Sequence, residues 1–271
     1  MKDLQERIFI TKRNLPFLAV VISILAGFLI LSFVSCSKIS PAANTTPNFD
    51  FNKKTIVIGS DTTYPPFEYI EKGETLGFDI DIIKEIAARL GKSIEIKKIA
   101  WNPEYKELID GKIDMIISAV PETVESNVVD FSKSYYTLEY LLISLSESEI
   151  KIREDLANKK IGILKIDKDK ISEEYLKNYK LNFYEDIMEM LQALKSKEIE
   201  AILIASPMGV SLLRENKDMY IVMDKVAANK NFVMVFNKGS ILREKVNNAI
   251  DQIKADGTYQ KIYDKWFNYN S

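Results

Sequence analysis

The residues best suited to bind a small molecule lie at the end of the apolar run IDMIISAV, which contains Ser118, and just after it, where the carboxylates of Glu122 and Glu125 follow. There is no Lys or Arg between Lys112 and Lys133, so no residue close in sequence neutralises these carboxylates. A hydroxyl and two acidic groups after a buried strand could hydrogen bond to a polar or cationic solute. The two carboxylates could equally be surface charges in contact with water.

Composition excludes several kinds of chemistry. The chain has no His, which excludes Ser-His-Asp catalysis, Cys-His catalysis and any His-ligated metal site. Its one Cys, Cys36, cannot form an intrachain disulfide. A net charge of −2 favours neither nucleic-acid binding nor an acidic tail, and 271 residues suffice for one large domain or two small ones. We therefore expect no catalytic residue, metal, cofactor or nucleic-acid partner.

The first 36 residues have the pattern of a targeting segment. Cationic residues precede an apolar run from Phe17 to Val34, which is about long enough to span a bilayer. The run ends in FVSCS, which resembles the lipobox of bacterial lipoproteins, where the Cys is lipid-modified. We therefore predict a signal peptide over 1–35, lipidation of Cys36 and a lipid-anchored tether over 36–52, with an uncleaved signal anchor as the alternative. In both cases the remaining chain faces outward, because the cationic end stays inside.

The rest of the chain alternates short β-branched runs with segments of helical periodicity. KTIVIGS, SIEIKKI and IDMIISAV are predicted strands, and apolar residues from Ile82 to Leu90 recur at helical spacing. The pattern restarts at KKIGILK and continues through a helix with Asp186 as its N-cap to the strand EAILIAS. MYIVMD and NFVMVFN are predicted as two further strands before a helical tail. Two α/β units of this kind place strand ends around a shared cleft.

These motifs, in this order, resemble the bacterial family 3 extracellular solute-binding proteins, most of which serve polar amino-acid ABC transporters. The resemblance implies a type 2 periplasmic-binding-protein fold, in which two α/β lobes are joined by two hinge crossings and close around one small solute. Lobe 1 would comprise 53–138 and 232–271, and lobe 2 would comprise 139–231. The implied partners are a small polar solute and an ABC permease, and we expect a monomer. The matching stretches are IVIGSDTTYPPFEY, GETLGFDIDIIKEIAARLG, LIDGKIDMIIS, VVDFSKSYY, LANKKIGIL, EMLQALKSKEIEAIL and NKGSILREKVNNAIDQIKADGTYQKIYDKWF.

The resemblance also implies ligand contacts. In the family, the position of Tyr64 covers the ligand with its ring, that of Asp61 often meets a ligand side-chain group, and that of Trp101 supplies the opposite aromatic wall. Ser118 and Ala119 match a pair whose backbone and hydroxyl bond the ligand's amine or carboxylate. Two aromatic faces could hold an apolar or cationic group. Alternatively, Tyr64 only plugs the edge of its lobe and Trp101 belongs to the core.

Three anchors of the family are altered in this sequence. The Arg that clamps the ligand's α-carboxylate falls on Ser126, and the Asp that binds its α-ammonium falls on Ala205. The Gly-containing anion-binding loop is replaced by LKIDKDKIS. In this loop Lys165 or Lys168 could supply a point charge, or Asp167 could meet a cation; a solvated, disordered loop is the alternative.

These departures leave two predictions for the solute. A zwitterionic amino acid in the family's usual pose would leave charges without partners, which is unfavourable. The solute is then either a cationic or weakly charged polar molecule, or an amino acid held by replaced anchors, with Lys165 or Lys168 on its carboxylate. We predict an extracytoplasmic receptor, anchored to the cell membrane by lipid, that delivers its solute to an ABC permease. A sensory domain without transport is the alternative, and a cyclohexadienyl-dehydratase-like enzyme is a third.

Overall fold

The computed structural model describes residues 49–100, 104–123 and 126–269. These belong to the unit Thr46–Ser271, while the unit Met1–Thr45 lies outside the described residues. The predicted signal peptide and the lipidation position Cys36 therefore lie outside them, as do Trp101 and Glu125. No helix among the described residues combines the length and the apolar character that a bilayer crossing requires.

Strands and helices alternate through the described chain, as the sequence predicts. The strands are β1 (Thr55–Ser60), β2 (Thr63–Tyr64), β3 (Glu68–Glu71), β4 (Glu74–Leu76), β5 (Ser93–Lys98), β6 (Met115–Pro121), β7 (Val129–Phe131), β8 (Tyr136–Leu145), β9 (Lys160–Leu164), β10 (Lys180–Tyr184), β11 (Ala201–Ala205) and β12 (Tyr220–Asn237). The α-helices are α1 (Phe78–Arg89), α2 (Lys106–Ile109), α3 (Glu173–Leu176), α4 (Ile187–Lys195), α5 (Ser206–Glu215), α6 (Ile241–Ala255) and α7 (Thr258–Phe267). Short 3-10 helices lie at Arg153–Leu156 and Lys165–Lys170.

One large sheet contains most of these strands, in the order β10-β9-β11-β8-β12-β6-β1-β5, with β7 paired to β12. At one end β1 is parallel to β5 and β6, and at the other β9 is parallel to β10 and β11. Between them, β8 and β12 pair with each other in antiparallel orientation. The sheet therefore consists of two α/β halves connected by two long strands. Strands β2, β3 and β4 form a separate small sheet that the sequence did not predict.

The structure corrects one sequence prediction, the division of β12 into two strands. Strand β12 runs without a break from Tyr220 to Asn237, whereas MYIVMD and NFVMVFN were predicted as separate strands. The intervening residues remain in the strand because the backbone pairs with β8 as far as Ala227 and again from Asn231. Between these two points the register shifts, so three residues of β12 face a single residue of β8.

The start of helix α1 shows how local sequence positions the later site. Gly77, just before the helix, has a φ of 136°, and a Cβ there would lie 2.0 Å from the carbonyl oxygen of Phe67. Only Gly lets the backbone at position 77 come this close to the Phe67 carbonyl. The same carbonyl accepts a hydrogen bond from the Asp79 N–H, at 2.9 Å. The first turn of α1 is thereby held against the segment that carries Glu68.

An aromatic cluster occupies the junction of the two halves. The ring centroid of Phe67 lies 5.0 Å from that of Tyr136 on β8 and 5.3 Å from that of Phe232 on β12. Phe78 of α1 and Phe267 of α7 also belong to the cluster, with their centroids 5.2 Å apart. Each such ring pair contributes about 0.5–1.5 kcal/mol beyond the burial of apolar area. The two connecting strands are thus anchored to the first half by packing as well as by sheet hydrogen bonds.

Candidate functional site

The carboxyl ends of β1 and β6 bring two predicted site residues together. These strands are parallel neighbours, so the residues that follow them meet at one edge of the sheet. The backbone N–H of Asp61 donates to the Ser118 Oγ over 3.1 Å. The Asp61 carboxylate accepts from the N–H and the hydroxyl of Thr63, at 2.7 and 2.8 Å. A ligand at this edge would therefore meet an Asp61 carboxylate that is already oriented.

The hydroxyl of Ser118 has little capacity left for a ligand. Ser118 is buried, and its Oγ donates to the Glu68 Oε1 over 2.8 Å while accepting from Asp61. A serine hydroxyl has one proton to donate, so Ser118 can only accept a further hydrogen bond. If Ser118 contacts a ligand through its side chain, it does so as an acceptor, which suits an ammonium and not a carboxylate.

Beneath this edge lies a buried pair of carboxyl groups, Glu68 and Asp79, which the sequence analysis missed. Both residues are 0% exposed. The Asp79 Oδ2 accepts from the Ala119 N–H at 2.8 Å and from the Tyr135 hydroxyl at 2.9 Å. Burial, and then the charge of Asp79, raises the pKa of Glu68 far above its ordinary value, and burial also raises the pKa of Asp79.

The remaining oxygens of this carboxyl pair, Glu68 Oε2 and Asp79 Oδ1, have no other hydrogen-bond partner among the described residues. The raised pKa of Glu68 beside the charge of Asp79 favours a protonated Glu68 next to an Asp79 carboxylate. A periodicity signal could have found Asp79, because it lies among the buried apolar residues of α1 and not on the exposed face. Glu68 is the first residue of the short strand β3, directly after the buried Phe67, and no periodicity in the sequence marks it as buried.

The carboxyl pair holds Ala119 in an unusual conformation. The φ of Ala119 is 44°, in the left-handed region that residues with a Cβ rarely adopt. This geometry turns its N–H toward Asp79, which accepts it, so that N–H is not free to bind a ligand. The conformation of β6 at Ser118 and Ala119 is therefore set by hydrogen bonds to the buried Glu68 and Asp79.

Tyr64 is the aromatic residue that faces outward at this edge. Its side chain is 44% exposed, and its ring stacks on Phe67 with centroids 5.4 Å apart and planes at 19°. Phe67 itself is 0% exposed and belongs to the junction cluster. Burial, followed by the charges of Glu68 and Asp167, raises the pKa of Tyr64. Asp167 belongs to the second half and Tyr64 to the first, and the charge of Asp167 is the smallest of these three contributions.

The charged loop after β9 is a 3-10 helix that directs its side chains in different directions. Lys165 forms an ion pair with Glu185 at 2.5 Å, and the Lys168 Nζ lies 5.6 Å from the ring centroid of Phe183. Both lysines are exposed, whereas Asp167 is only 4% exposed. The Asp167 carboxylate accepts from the Lys170 Nζ over 2.7 Å. Of the predicted residues in this loop, Asp167 is the one that the structure buries.

Ala205 lies beside a tyrosine. It is paired directly with Tyr140 across strands β11 and β8, so the two side chains share one face of the sheet. Tyr140 is 0% exposed, and its hydroxyl has no hydrogen-bond partner among the described residues. Burial, with a contribution from Asp167, raises its pKa. The space beside Ala205 is therefore occupied by a phenol close to the Asp167 carboxylate.

Ser126 and Glu122 are engaged by neighbouring groups. The Ser126 Oγ accepts from the N–H groups of Val128 and Val129, at 3.2 and 3.3 Å. The Glu122 Oε2 accepts from the Asn231 Nδ2 at 2.9 Å, which ties the end of β6 to β12. The described residues contain no group of three or more Asp, Glu or Cys side chains placed to hold a metal ion.

The model of the bacterial extracellular solute-binding proteins, family 3, matches residues 56–269. The chain belongs to this family. The arginine-binding extracellular protein ArtP of Bacillus subtilis is 29% identical to this solute-binding protein over 223 residues, which cover 79% of this chain and 87% of ArtP. Relatives of this kind are named as binding proteins, that is, as receptors and not as enzymes.

Solved structures agree on the fold. A substrate-binding domain of a putative amino acid ABC transporter from Streptococcus pneumoniae matches with a TM-score of 0.67 and 26% identity, covering 78% of this chain and 99% of that one. The unliganded, open L-cystine receptor of Neisseria gonorrhoeae matches with a TM-score of 0.65 and 25% identity, covering 80% and 94%. The solute-binding protein therefore has the type 2 periplasmic-binding fold, and the two halves of its sheet are the two lobes. The unit Thr46–Ser271 is itself one compact unit of the structure.

Proposed function

We propose that this solute-binding protein is the extracytoplasmic receptor of an ABC importer, anchored to the membrane by a lipid on Cys36. It binds an amino acid or a related small polar solute between its lobes and does not act as an enzyme. The family's α-carboxylate Arg and α-amine Asp are absent, so the solute is held by other groups. The predicted lobe boundaries fall within or next to β8 and β12, about which the lobes would close.

This proposal is supported by the polar and aromatic groups that lie at the strand ends of both lobes. Asp61, Ser118 and the exposed ring of Tyr64 come from the first lobe. Asp167 comes from the second lobe, and its charge acts on Tyr64. A small solute between the lobes would be covered by an aromatic ring and would meet carboxylate oxygens on both sides, as polar-solute sites require.

The proposal is tested by ligand-induced stabilisation of the unit Thr46–Ser271 with L-arginine, L-histidine, L-cystine and L-glutamine, followed by calorimetry. A ligand at 100 times its dissociation constant adds about 2.7 kcal/mol to the free energy of unfolding. Binding should also reduce the radius of gyration in small-angle scattering, because the lobes close. Stabilisation by none of these amino acids, or by related polar solutes, would contradict the proposed function.

Tyr64→Ala tests the site itself. Loss of one ring face should weaken binding roughly 2- to 30-fold, the range expected for a contact of about 0.5–2 kcal/mol. Ile70→Ala is the matched control, because Ile70 is an exposed apolar side chain on the neighbouring strand β3. Equal affinity in both variants would remove Tyr64 from the site.

Lipid anchoring and transport need separate measurements. In the full chain, Cys36→Ser should abolish labelling of the protein by a radioactive fatty acid, because Cys36 is the one thiol of the chain. Equal labelling of both proteins would refute lipidation at Cys36, and no labelling of either would favour the uncleaved signal anchor. Uptake of a radiolabelled solute by cells that express the protein with a permease would establish import. Ligand binding without any uptake would favour a sensory receptor.

A further inference from the structure

Lys230 occupies the bulge in the hinge strand β12. Nothing in the local sequence pattern singles it out. The pairing of β12 with β8 holds at Ala227 with Glu139 and resumes at Asn231 with Thr137. Three residues of β12 thus lie where β8 supplies one, which displaces the chain from the regular ladder. Bulges of this kind redirect side chains and are common next to binding sites.

Asn231 fixes the position of this bulge relative to both lobes. Its carbonyl accepts from the Glu122 N–H at 2.8 Å, and its Nδ2 donates to the Glu122 Oε2 at 2.9 Å. Its Oδ1 accepts from the Thr137 hydroxyl at 2.9 Å. Lys230 therefore emerges where the end of β6 meets the hinge. This is the stretch in which the family's carboxylate clamp is replaced by Ser126.

The charges around Lys230 are unbalanced. Strand β12 contacts the 3-10 helix that carries Lys170 and Asp167. The Asp167 carboxylate already receives the Lys170 amine at 2.7 Å. The Lys230 amine forms no ion pair or hydrogen bond with the described residues, although it is half-buried. Burial and the charge of Lys170 lower its pKa, while Asp167 acts in the opposite direction.

The amines of Lys170 and Lys230 thus share the influence of one carboxylate, that of Asp167, where β12 contacts the 3-10 helix. A partly desolvated ammonium without a partner is unfavourable, and an added carboxylate would relieve this. Lys165 and Lys168 are poorer candidates for the same role, because Lys165 is paired with Glu185 and Lys168 lies over Phe183.

We propose that Lys230 binds the carboxylate of the solute in place of the missing Arg, so that the ligand class is a small molecule bearing a carboxylate. The inference rests on the proposed function. The proposal places the solute's carboxylate at the hinge strand instead of at Ser126, the position of the family's Arg. The Ser118 hydroxyl, which can only accept, is then left for a donor group of the solute.

The test compares amino acids with their carboxamides. L-arginine, L-histidine and L-glutamine are titrated into the unit Thr46–Ser271 alongside L-argininamide, L-histidinamide and L-glutaminamide. Lys230→Gln should weaken binding of the amino acid about 10- to 100-fold, as expected for loss of a charge-assisted hydrogen bond. It should change binding of the carboxamide by less than about twofold, because that group offers no charge to pair. Lys230→Arg should restore most of the affinity.

Lys225→Gln is the matched control. Lys225 lies on the same strand, but its amine lies over the rings of Tyr263 and Tyr269. Its removal should leave the affinity for both members of each pair unchanged. Thermal unfolding of all variants shows whether they are folded.

The possible outcomes separate the two proposals. Binding by the unaltered protein together with equal losses for amino acid and carboxamide in Lys230→Gln, or with no loss at all, overturns the role of Lys230 and leaves the receptor function standing. Binding of a carboxylate-free amine such as putrescine, with no binding of any amino acid, overturns the ligand class. Binding of none of these probes overturns both proposals.

Discussion

Replacing Glu68 by Gln should change how the stability of this protein depends on pH. A Gln side chain has the shape of a protonated glutamic acid, so it can accept from the Ser118 hydroxyl and still donate from its NH₂ group, as the protonated acid does from its hydroxyl. The local hydrogen bonds are therefore preserved. What Glu68→Gln removes is the ability of this position to lose a proton.

The sign follows from the raised pKa of Glu68 in the folded protein. In the unfolded chain its carboxyl has the ordinary pKa of about 4.5, whereas the folded protein retains the proton to higher pH. Stability from this group is fully present below the unfolded pKa and is lost as pH rises toward the folded pKa. A difference of one bound proton changes the free energy of unfolding by about 1.4 kcal/mol per pH unit, or about 2.7 kcal/mol over two units.

The window from about pH 6.5 to about pH 8.5 suits the measurement, because unperturbed carboxyls titrate below it and tyrosines and lysines above it. The chain has no His, and its one Cys lies outside the unit Thr46–Ser271. Urea unfolding at several pH values should show the unaltered protein losing about 2.7 kcal/mol relative to Glu68→Gln across this window.

Glu71→Gln is the matched control, because it removes an exposed glutamate from the same strand β3. Parallel pH profiles for the unaltered protein and Glu68→Gln would refute the shared proton. A Glu68→Gln variant that is less stable at every pH would show instead that Glu68 is ionised in the folded protein.

Two further changes test local features of the fold. Asp186→Ala should lower the free energy of unfolding by about 1 kcal/mol, because the Asp186 carboxylate accepts from the N–H groups of Met188 and Glu189 at the start of α4. An unchanged midpoint of urea unfolding would show that this cap does not stabilise the protein. Ala119→Gly should stabilise the protein or leave its stability unchanged, because the left-handed φ of Ala119 costs about 1–2 kcal/mol for a residue with a Cβ. This gain offsets the greater conformational freedom of Gly in the unfolded chain. A clear loss of stability in urea unfolding would contradict the strain.

Much of the fold was predictable because its signals are local. The helical spacing of α1, the Asp186 cap and the short β-branched strands each depend on residues close in sequence. The continuity of β12 was not predictable in the same way. Its middle section, KVAANKN, has the composition of a loop. It is held in the sheet by pairing with β8 and by the hydrogen bonds of Asn231 to Glu122, both of which are distant in sequence.

The candidate site was only partly accessible to sequence reasoning. The strands β1 and β6 are parallel neighbours in the sheet, and Asp61 and Ser118 lie close together because their strands run side by side. The proton pair of Glu68 and Asp79 depends on the close approach at Gly77, which composition cannot reveal. The placement of Lys230 depends on a register shift within a sheet, and register is set by tertiary contacts. The ligand roles assigned to Tyr64, Ser126, Ala205 and the charged loop stay predictions.

The uninterrupted strand β12 has a mechanical consequence. Since both lobes share one sheet, their relative motion must occur by twisting of backbone that remains hydrogen bonded. The least constrained backbone between the two long strands lies at the two register shifts of β12 against β8. One of these shifts carries the lysine proposed to meet the solute. A change in the solute's charge at that point would therefore alter the torsion of the connecting strand directly, without any intervening chain of contacts.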